Sequence, residues 1–160
     1  MPDINEEKKI STKMIRKIDK SDFEKFKSLR KKGLKFYKDI TNDEIDISSE
    51  RIENEFEDIL SNDKRILFVD NKLKGYIIGS YIENSYEKIT YIDDIYVDKN
   101  SRSKGIGKDL IKKFEKWSKS KDANIIRLAV SKNNKKAIRF YKELKFKIKH
   151  HEMEKMQHEI

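Results

Sequence analysis

Residues 91–107 read YIDDIYVDKNSRSKGIG and connect a predicted strand to a predicted helix. On the strand side, residues 87–99 are rich in Ile, Tyr, Thr and Val, which favour β-structure. On the helix side, apolar residues recur at helical spacing: Ile106, Leu110, Ile111, Phe114 and Trp117. A basic turn with two glycines, Arg102 to Gly107, lies between them. Because a helix N-terminus offers free N–H groups and the positive end of the helix dipole, this turn predicts a phosphate-binding site.

Two common phosphate-binding loops are excluded by the residues of this turn. A P-loop requires G-x-x-x-x-G-K-[ST], whereas residue 102 is Arg and Lys108 is followed by Asp109. A dinucleotide fingerprint requires G-x-G-x-x-G, and Leu110 occupies its third glycine position. Taken alone, the turn therefore leaves two interpretations open: a phosphate site of another kind, or a strand-to-helix turn that only uses glycine for its shape.

Composition narrows the class of protein. The chain has 160 residues, enough for one domain, and contains one proline and no cysteine. The absence of cysteine excludes disulfides, thiolate metal sites and cysteine nucleophiles, and with only three histidines we expect no metal site. No apolar run is long enough to cross a membrane, and residues 1–10 lack the apolar core of a signal peptide. We therefore expect a cytoplasmic protein with no membrane partner.

Charge is distributed unevenly along the chain. Residues 101–160 carry 18 Lys and Arg against 7 Asp and Glu, whereas residues 39–63 carry ten acidic residues and a single basic one, Arg51. Since net potential attracts ligands of opposite charge, we expect an anionic ligand at the second half and a cationic ligand near the acidic segment. The pI of about 9.4 also raises nucleic-acid binding as an alternative. Acids interrupt the lysines and no aromatic RNA-binding signature is present, so nucleic acid is not expected as a partner.

Periodicity predicts one α/β domain over residues 12–155, with a loose leader at 1–11 and a tail at 156–160. The predicted elements are strand 12–18, a helix from Ser21 or Asp22 to about Tyr37, helix 49–60, strands 65–70 and 73–83 joined by an Asn71-Lys72 turn, strand 87–99, helix 105–120, strand 124–130, helix 133–144 and strand 146–154. This order, β-α-α-β-β-β-α-β-α-β, indicates a mixed, mostly antiparallel central sheet flanked by helices.

Two separated motifs and the element order carry a family resemblance. Residues 91–107 match a fourth strand followed by a [RQ]-x-x-G-x-[GA] pyrophosphate loop. The spacing Asn134-x-x-Ala137-x-x-Phe140-Tyr141 matches an N-x-x-A-x-x-F-Y helix. In these features the chain resembles the GNAT superfamily of acyl-CoA-dependent N-acetyltransferases. One departure is Lys145, because the family commonly has glycine before the phenylalanine that follows this helix. We therefore expect a different turn there.

The resemblance implies a GNAT-like domain that binds acetyl-CoA. Main-chain N–H groups of residues 102–108 would hold its pyrophosphate, and the side chains of Arg102, Lys104 and Lys108 would add charge. The exposed edge of the preceding strand would pair with the pantetheine arm and polarise the thioester carbonyl. Asn134 would contact the cofactor through its amide. The implied cofactor-binding residues are Ile95, Tyr96, Val97, Arg102, Ser103, Lys104, Gly105, Ile106, Gly107, Lys108 and Asn134.

The implied acceptor is an amine, which must lose a proton before it attacks. An alkylamine with a pKa near about 10.4 is protonated at neutral pH, and removing that proton costs roughly 4–5 kcal/mol. Asp93 is the first candidate for the base, since it shares strand parity with Ile95 and lies where some polyamine-acetylating relatives carry glutamate. We expect Asp94 on the opposite face in a structural or substrate-contacting role, although Asp94 or water alone stays open as the base. The resemblance implies that Tyr141 is the general acid for the departing thiolate.

These features together predict a catalytic function. We expect an enzyme that transfers an acetyl group from acetyl-CoA directly to a primary amine in a ternary complex. The acidic segment favours a cationic acceptor, which could be a polyamine, an aminoglycoside-like amine, or a basic peptide terminus or lysine. The alternative is a non-catalytic acyl-CoA-binding regulatory domain of the same fold. Because such domains often dimerise, a homodimer is also considered.

Overall fold

The computed structural model describes residues 15–159, which divide into two compact units at Ala129 and Val130. Within these described residues, the first unit contains a five-stranded sheet and three α-helices, and the second contains one α-helix. This mixed α/β arrangement confirms the predicted fold class. The predicted leader at residues 1–11 and the start of the predicted first strand lie outside the described residues.

The sheet runs in the order β1-β2-β3-β4-β5. Its strands are β1 (Ile15–Lys17), β2 (Arg65–Asp70), β3 (Gly75–Glu83), β4 (Lys88–Val97) and β5 (Ile125–Leu128). The first four strands pair antiparallel with their neighbours, whereas β4 and β5 pair parallel. A parallel connection needs a crossover, and the helix between β4 and β5 supplies it.

The helices of the described residues are α1 (Phe23–Thr41), α2 (Ser49–Ser61), α3 (Ile106–Ser120) and α4 (Lys135–Glu143). Short 3₁₀ turns cover Lys20–Asp22 and Lys99–Ser101. All four helices lie where periodicity predicts them. In residues 15–159, no helix combines the length and the apolar character that crossing a membrane would require.

The start of α1 is capped one turn earlier than the sequence suggests. The expected cap was Ser21 or Asp22, but the Asp22 side chain makes no capping bond to α1. Instead, Asp19 accepts a hydrogen bond from the Ser21 N–H at 2.7 Å, and the Asp22 carboxylate accepts one from the Asp19 N–H at 2.9 Å. This reciprocal pair is a capping box around the 3₁₀ turn. Arg16 binds the Asp22 carboxylate at 2.7 and 2.9 Å.

The connection between β2 and β3 is longer than the predicted two-residue hairpin. The first strand ends at Asp70 and the second begins at Gly75. The buried Asp70 carboxylate accepts hydrogen bonds from the backbone N–H groups of Lys72, Lys74 and Gly75, at 2.7–3.2 Å. Leu73 has φ of 48° and is buried. An aspartate that satisfies three backbone donors thus replaces hydrogen bonds of a tight hairpin.

The predicted strand at residues 146–154 is not formed, and this expectation was wrong. These residues have no strand structure. Phe146 packs against the ring of Tyr141, but Ile148 is 63% exposed, and Lys147 and Lys149 lie in solvent. Apolar and basic residues do alternate in this segment, but the segment buries little apolar surface and forms no ladder of backbone hydrogen bonds. Without either contribution the segment stays irregular.

The core of the first unit has two apolar layers. On one face of the sheet, α1 and α2 bury a cluster that includes Phe26, Ile52, Leu67, Tyr76 and Ile78. On the other face, α3 buries Leu110, Ile111 and Phe114. Each such side chain contributes about 1.5–3 kcal/mol when it is fully buried. These two layers hold β4 and the turn before α3 in place.

Gly33 marks the closest approach of α1 to the sheet. A Cβ atom at this position would overlap the Tyr76 hydroxyl and lie against the Tyr96 ring. Only glycine leaves that space, so the middle of α1 can pack directly on the two tyrosines of β3 and β4. The phenol ring of Tyr76 is fully buried as a result.

Candidate active site

Strand β4 extends beyond its parallel neighbour. The pairing with β5 ends at Ile92 opposite Leu128, whereas β4 continues to Val97. On its other side, β4 stays paired with β3 up to Val97 opposite Gly75. Within the described residues, the far edge of residues 95–97 therefore has no strand partner. An open edge of this kind can pair with an extended ligand that carries amide groups.

A β-bulge lies at the point where β5 leaves β4. Ile78 pairs with Asp94 and Gly79 pairs with Ile92, so Asp93 is the extra residue between them. A bulge leaves its extra residue out of the ladder and bends the strand, which redirects the side chains that follow. Asp93 is thus set apart from the regular pairing of the sheet.

The bulge places both aspartates on the same face of the sheet, and the expectation of opposite faces was wrong. The Ser80 hydroxyl donates to Asp93 at 2.5 Å, and Arg65, which binds Asp58 of α2, lies 3.6 Å from the same carboxylate. Asp94 binds Arg30 of α1. Both carboxylates therefore face α1 and α2. Strict alternation with period two fails here because one residue is inserted between the paired positions.

The surroundings of Asp93 favour its protonated form. Burial raises the pKa of this carboxyl, and the charge of Glu55 raises it further. The hydrogen bond from Ser80 and the charge of Arg65 act in the opposite direction but do not cancel the effect. A carboxylate with a raised pKa holds a proton more readily than an ordinary aspartate, which suits a group that accepts one.

Asp94 belongs to a buried polar network that α1, α2, β3 and β4 share. Arg30, with 6% of its surface exposed, donates from Nη1 to Asp94 at 2.5 Å and to the Tyr76 hydroxyl at 3.0 Å. Its Nη2 lies 2.9 Å from Glu55. The Tyr76 hydroxyl in turn donates to Asp94 at 2.9 Å. This placement agrees with the structural role expected for Asp94.

The network determines the protonation of its members. Burial acts to lower the pKa of Arg30, but the Tyr76 hydroxyl and the carboxylates of Asp94 and Glu55 outweigh it, so the pKa is raised. Burial raises the pKa of Tyr76 well above its ordinary value, as does the Asp94 charge. Arg30 is therefore charged and Tyr76 keeps its proton at neutral pH.

The turn before α3 has the geometry of an anion site. Ser103 and Gly105 both have left-handed φ, at 64° and 85°, and Gly105 is the N-cap residue of α3 with no side-chain capping bond. A Cβ added to Gly105 would meet no atom within 4 Å, so the space beside the turn is open. Lys104 and Lys108 lie in solvent on either side. Uncapped N–H groups, open space and positive charge are what a pyrophosphate requires.

Arg102 is held at the end of β4. Its Nε donates to the Val97 carbonyl at 2.9 Å, and its guanidinium lies 5.0 Å from the Phe36 ring centre and 5.6 Å from that of Tyr96. Contact with two aromatic faces restrains the side chain through cation–π attraction. The arginine therefore connects α1 and β4 to the turn for which the sequence predicted a phosphate contact.

Asn134 and Tyr141 both lie in the second unit, where α4 positions them. Asn134 is the N-cap of α4, and its Oδ1 accepts a hydrogen bond from the Ala137 N–H at 3.1 Å. Tyr141 is 9% exposed and packs edge-on against the rings of Phe140 and Phe146, with centroids 5.4 and 5.6 Å away.

A Schellman motif ends α4 and includes the backbone carbonyl of Tyr141. The N–H of Phe146 donates to the Tyr141 carbonyl and that of Lys145 to the Lys142 carbonyl, both at 3.0 Å. Lys145 has φ of 70°, in the left-handed region. The glycine-type turn is therefore retained although lysine stands at its left-handed position, and the expectation of a different turn was wrong in its geometry.

Arg30, Glu55 and Tyr76 were not recognised as site residues from the sequence. Arg30 lies on the same helix stripe as Phe26 and Leu29, which are buried. An arginine on an apolar stripe is the available signal, because a buried guanidinium needs acidic partners. The sequence could not say which acids these are, since Glu55 and Asp94 are 25 and 64 residues away along the chain.

No group of three or more His, Cys, Asp or Glu side chains in residues 15–159 is arranged to hold a metal ion. The three histidines lie in the C-terminal segment, where His150, His151 and His158 are exposed. The acidic side chains nearest the bulge are engaged by arginines instead.

Sequence comparison finds curated relatives of part of the chain. The thialysine N-epsilon-acetyltransferase of Sus scrofa is 44% identical over 71 residues, which are 44% of this chain and 42% of that protein. The chain spans less than half the length of the curated relatives it matches.

Solved structures share the fold over most of the chain. A protein of Pyrococcus furiosus assigned as an acetyl transferase is 30% identical, with a TM-score of 0.69, and the match covers 89% of this chain and 99% of that one. The aminoglycoside N-acetyltransferase AAC(6')-Iy, solved in complex with CoA, shares the fold at 18% identity and a TM-score of 0.71, over 89% and 98% of the two chains. Residues 26–146 match the model of the acetyltransferase (GNAT) family. This match extends over more than half of the sequence, so the chain belongs to the acetyltransferase (GNAT) family.

Proposed function

We propose that this protein is an N-acetyltransferase that transfers an acetyl group from acetyl-CoA to a primary amine, by direct transfer in a ternary complex. The observation that carries the proposal is the continuity of the open edge of β4 with the uncapped N-terminus of α3. One stretch of chain thus offers a strand edge for an amide-bearing arm, followed by an anion site for its phosphates. Family membership and the amine-acetylating relatives support the same reaction class.

The turn before α3 would hold the pyrophosphate of acetyl-CoA. Backbone N–H groups of residues 102–108 would donate to it, and Gly105 leaves open space for close approach. Lys104 and Lys108 add charge from the exposed side of the turn, and Arg102 adds charge from the end of β4. Asn134 contributes an amide contact while its Oδ1 caps α4.

The reacting end would lie along residues 95–97. Bound acetyl-CoA supplies the thioester whose acetyl group is transferred. Backbone N–H groups on the open edge of β4 donate to the thioester carbonyl and stabilise the negative charge that develops on its oxygen. As the C–N bond forms and the C–S bond breaks, Asp93 takes the proton that the amine releases, directly or through water. Its raised pKa brings the carboxylate closer to the basicity that the transfer requires.

Tyr141 would act as the general acid. Its phenol donates a proton to the sulfur as the C–S bond breaks, since a phenol can protonate a thiolate as it forms. The Schellman motif at the end of α4 brings Phe146 into contact with the ring. The N-x-x-A-x-x-F-Y spacing that begins at Asn134 supports this role.

The acceptor is proposed to be cationic: a polyamine, an aminoglycoside-like amine, or a basic peptide terminus or lysine. Of the ten acidic residues in segment 39–63, Glu55 and Asp58 are bound to Arg30 and Arg65. The loop between α1 and α2 keeps its acidic side chains in solvent at Asp43, Glu44 and Asp46. An exposed negative loop next to the helices that face Asp93 attracts a ligand with several positive charges.

Cofactor binding can be tested before the acceptor is known. We expect acetyl-CoA at micromolar concentration to raise the melting temperature, because a ligand that binds only the folded state stabilises it. Gly107→Asp should abolish this shift, since it places a negative charge at the phosphate site. Asn124→Asp, which adds the same charge at an exposed position outside the turn, serves as the control. An unchanged melting temperature at millimolar acetyl-CoA would rule out the proposed cofactor.

A further inference from the structure

Arg30 takes no part in the reaction outlined above. Arg30 is the point at which four elements meet: it projects from α1, binds Glu55 of α2 and Tyr76 of β3, and binds Asp94 of β4. The pair with Asp94 involves the residue next to the proposed base. A buried arginine in contact with two carboxylates is more than packing requires, because an apolar side chain would fill the same space without a desolvation penalty.

Two neighbouring carboxylates on one face of a sheet repel each other when both are ionised. Because the bulge turns Asp93 and Asp94 to the same side, a negative charge on Asp94 that no cation offset would disfavour the ionised form of Asp93. The groups that act on Asp93 are Arg65 of β2, Ser80 of β3 and Glu55 of α2. Its neighbour Asp94 is held by Arg30 of α1 and Tyr76 of β3. Arg65 is the ion-pair partner of Asp93, and Arg30 is the ion-pair partner of Asp94.

We propose that Arg30 is a positioning residue for acetyl transfer: held by Glu55, it anchors Asp94 together with Tyr76 and offsets the Asp94 charge, so that Asp93 alone receives the amine proton. This inference rests on the proposed function, in which Asp93 is the base. Arg30 fixes the direction of Asp94 by a hydrogen bond from the guanidinium, and Tyr76 adds a second one from its hydroxyl. Because Asp94 is held in place and its charge is offset by Arg30, Asp93 is the single proton acceptor at the bulge.

The inference predicts opposite pH effects for two substitutions. Arg30→Met leaves Asp94 uncompensated beside Asp93, so the acid limb of the kcat–pH profile should move up by roughly one pH unit. Asp94→Asn, which nearly preserves shape, removes the negative charge beside Asp93 while Arg30 stays paired with Glu55, and should move the limb down by a similar amount, roughly one unit. The double variant removes both charges, and its limb should return close to the wild-type position. Arg16→Met removes the arginine of the surface pair with Asp22 and should leave the limb unchanged.

The outcomes separate this inference from the proposed function. Arg30 is purely structural if the acid limb stays at the wild-type position in both Arg30→Met and Asp94→Asn and only the rate or the stability falls. Should Arg30→Met fail to fold, the direction of the shift in Asp94→Asn decides the question alone. Asp93→Asn tests the proposed function: if its profile keeps the wild-type acid limb, Asp93 is not the base and both proposals fall. If Asp93→Asn removes the acid limb while the other variants leave it unmoved, the proposed role of Arg30 is rejected and the proposed function stands.

Discussion

At the scale of single residues, the inserted Asp93 has the largest consequence. It interrupts the β3–β4 ladder at the point where β5 ends, and it turns two carboxylates to the side of α1 and α2. The two residues have the same chemistry but different partners. Asp94 is bound by a buried arginine and a buried tyrosine, whereas Asp93 has a serine hydroxyl at 2.5 Å and an arginine at 3.6 Å. The environment therefore distinguishes a structural carboxylate from a candidate base.

Asp93→Asn should separate catalysis from stability. As general base, Asp93 is expected to contribute about 10²–10⁴-fold to kcat, and the substitution should remove that factor. Because burial raises the pKa of this carboxyl in the folded state, its ionisation weakens folding as pH rises above the unfolded value of about 3.9. The variant should thus be more stable than wild type at neutral pH, with the difference vanishing below that value. Paired urea titrations at neutral and acidic pH measure this.

A variant that lost activity and also lost stability at neutral pH would argue against this account. Asn at position 93 can still accept the hydrogen bond from Ser80, so simple loss of that bond would not explain such a result. Asp58→Asn provides the matched control, because Asp58 is an exposed partner of the same Arg65.

At the scale of elements, the end of α4 shows that a turn can keep its geometry although Lys145 occupies a position that favours glycine. The Schellman motif needs a left-handed residue at Lys145, and lysine adopts that conformation less readily than glycine. The motif is retained because the contact between Phe146 and Tyr141, together with two hydrogen bonds, outweighs the strain. The tyrosine of the proposed site is therefore oriented by the end of its own helix.

Lys145→Gly should stabilise the protein. Removing the side chain relieves the left-handed strain, which outweighs the added freedom of glycine in the unfolded chain, so we expect a net gain of about 0.5–1 kcal/mol. Chemical denaturation of the full chain measures it. Lys147→Gly removes a similar side chain from the exposed segment that follows and should change stability little. Equal effects from the two substitutions would mean that the strain at position 145 is not relieved.

The elements also show what a sequence can and cannot predict. Helix and strand positions followed from periodicity, since each element buries one face. The turn before α3 could be predicted because glycine and a helix start are local signals. The bulge at Asp93 could not, because it depends on the register between β3 and β4. The same holds for the Arg30 network, whose partners come from distant parts of the chain, and for residues 146–154, whose alternation finds no partner strand.

At the scale of the whole molecule, two segments of the sequence carry opposite charge. Residues 101–160 are strongly basic, and segment 39–63 is strongly acidic. The structure places the acidic segment on α1, α2 and their connecting loop, the side that both aspartates of the bulge face. An anionic donor and a cationic acceptor would thus be attracted to different surfaces, which reduces competition between them.

Charge reversal of the loop between α1 and α2 tests this arrangement. Replacing Asp43, Glu44 and Asp46 by lysine should raise the KM for a polycationic amine at least several-fold and leave the KM for acetyl-CoA close to wild type. Added salt should raise the wild-type KM for the amine as well, because screening weakens attraction between exposed charges. Reversal of Glu152, Glu154 and Glu159, which are exposed in the C-terminal segment, gives the same change of net charge elsewhere. An acceptor KM that responds equally to both triple variants would reject a specific role for the loop.

The most direct test of acetyl transfer is the release of CoA thiol from acetyl-CoA in the presence of a panel of amines, with product mass measured in parallel. The panel should contain polyamines, an aminoglycoside, lysine and a basic peptide. We expect thiol release that depends on the acceptor and is matched by one acetyl group per product. Tyr141→Phe should slow the release while leaving acetyl-CoA binding intact. Tight, stoichiometric binding of acetyl-CoA with no thiol release from any amine would contradict the account and favour a regulatory acyl-CoA-binding domain.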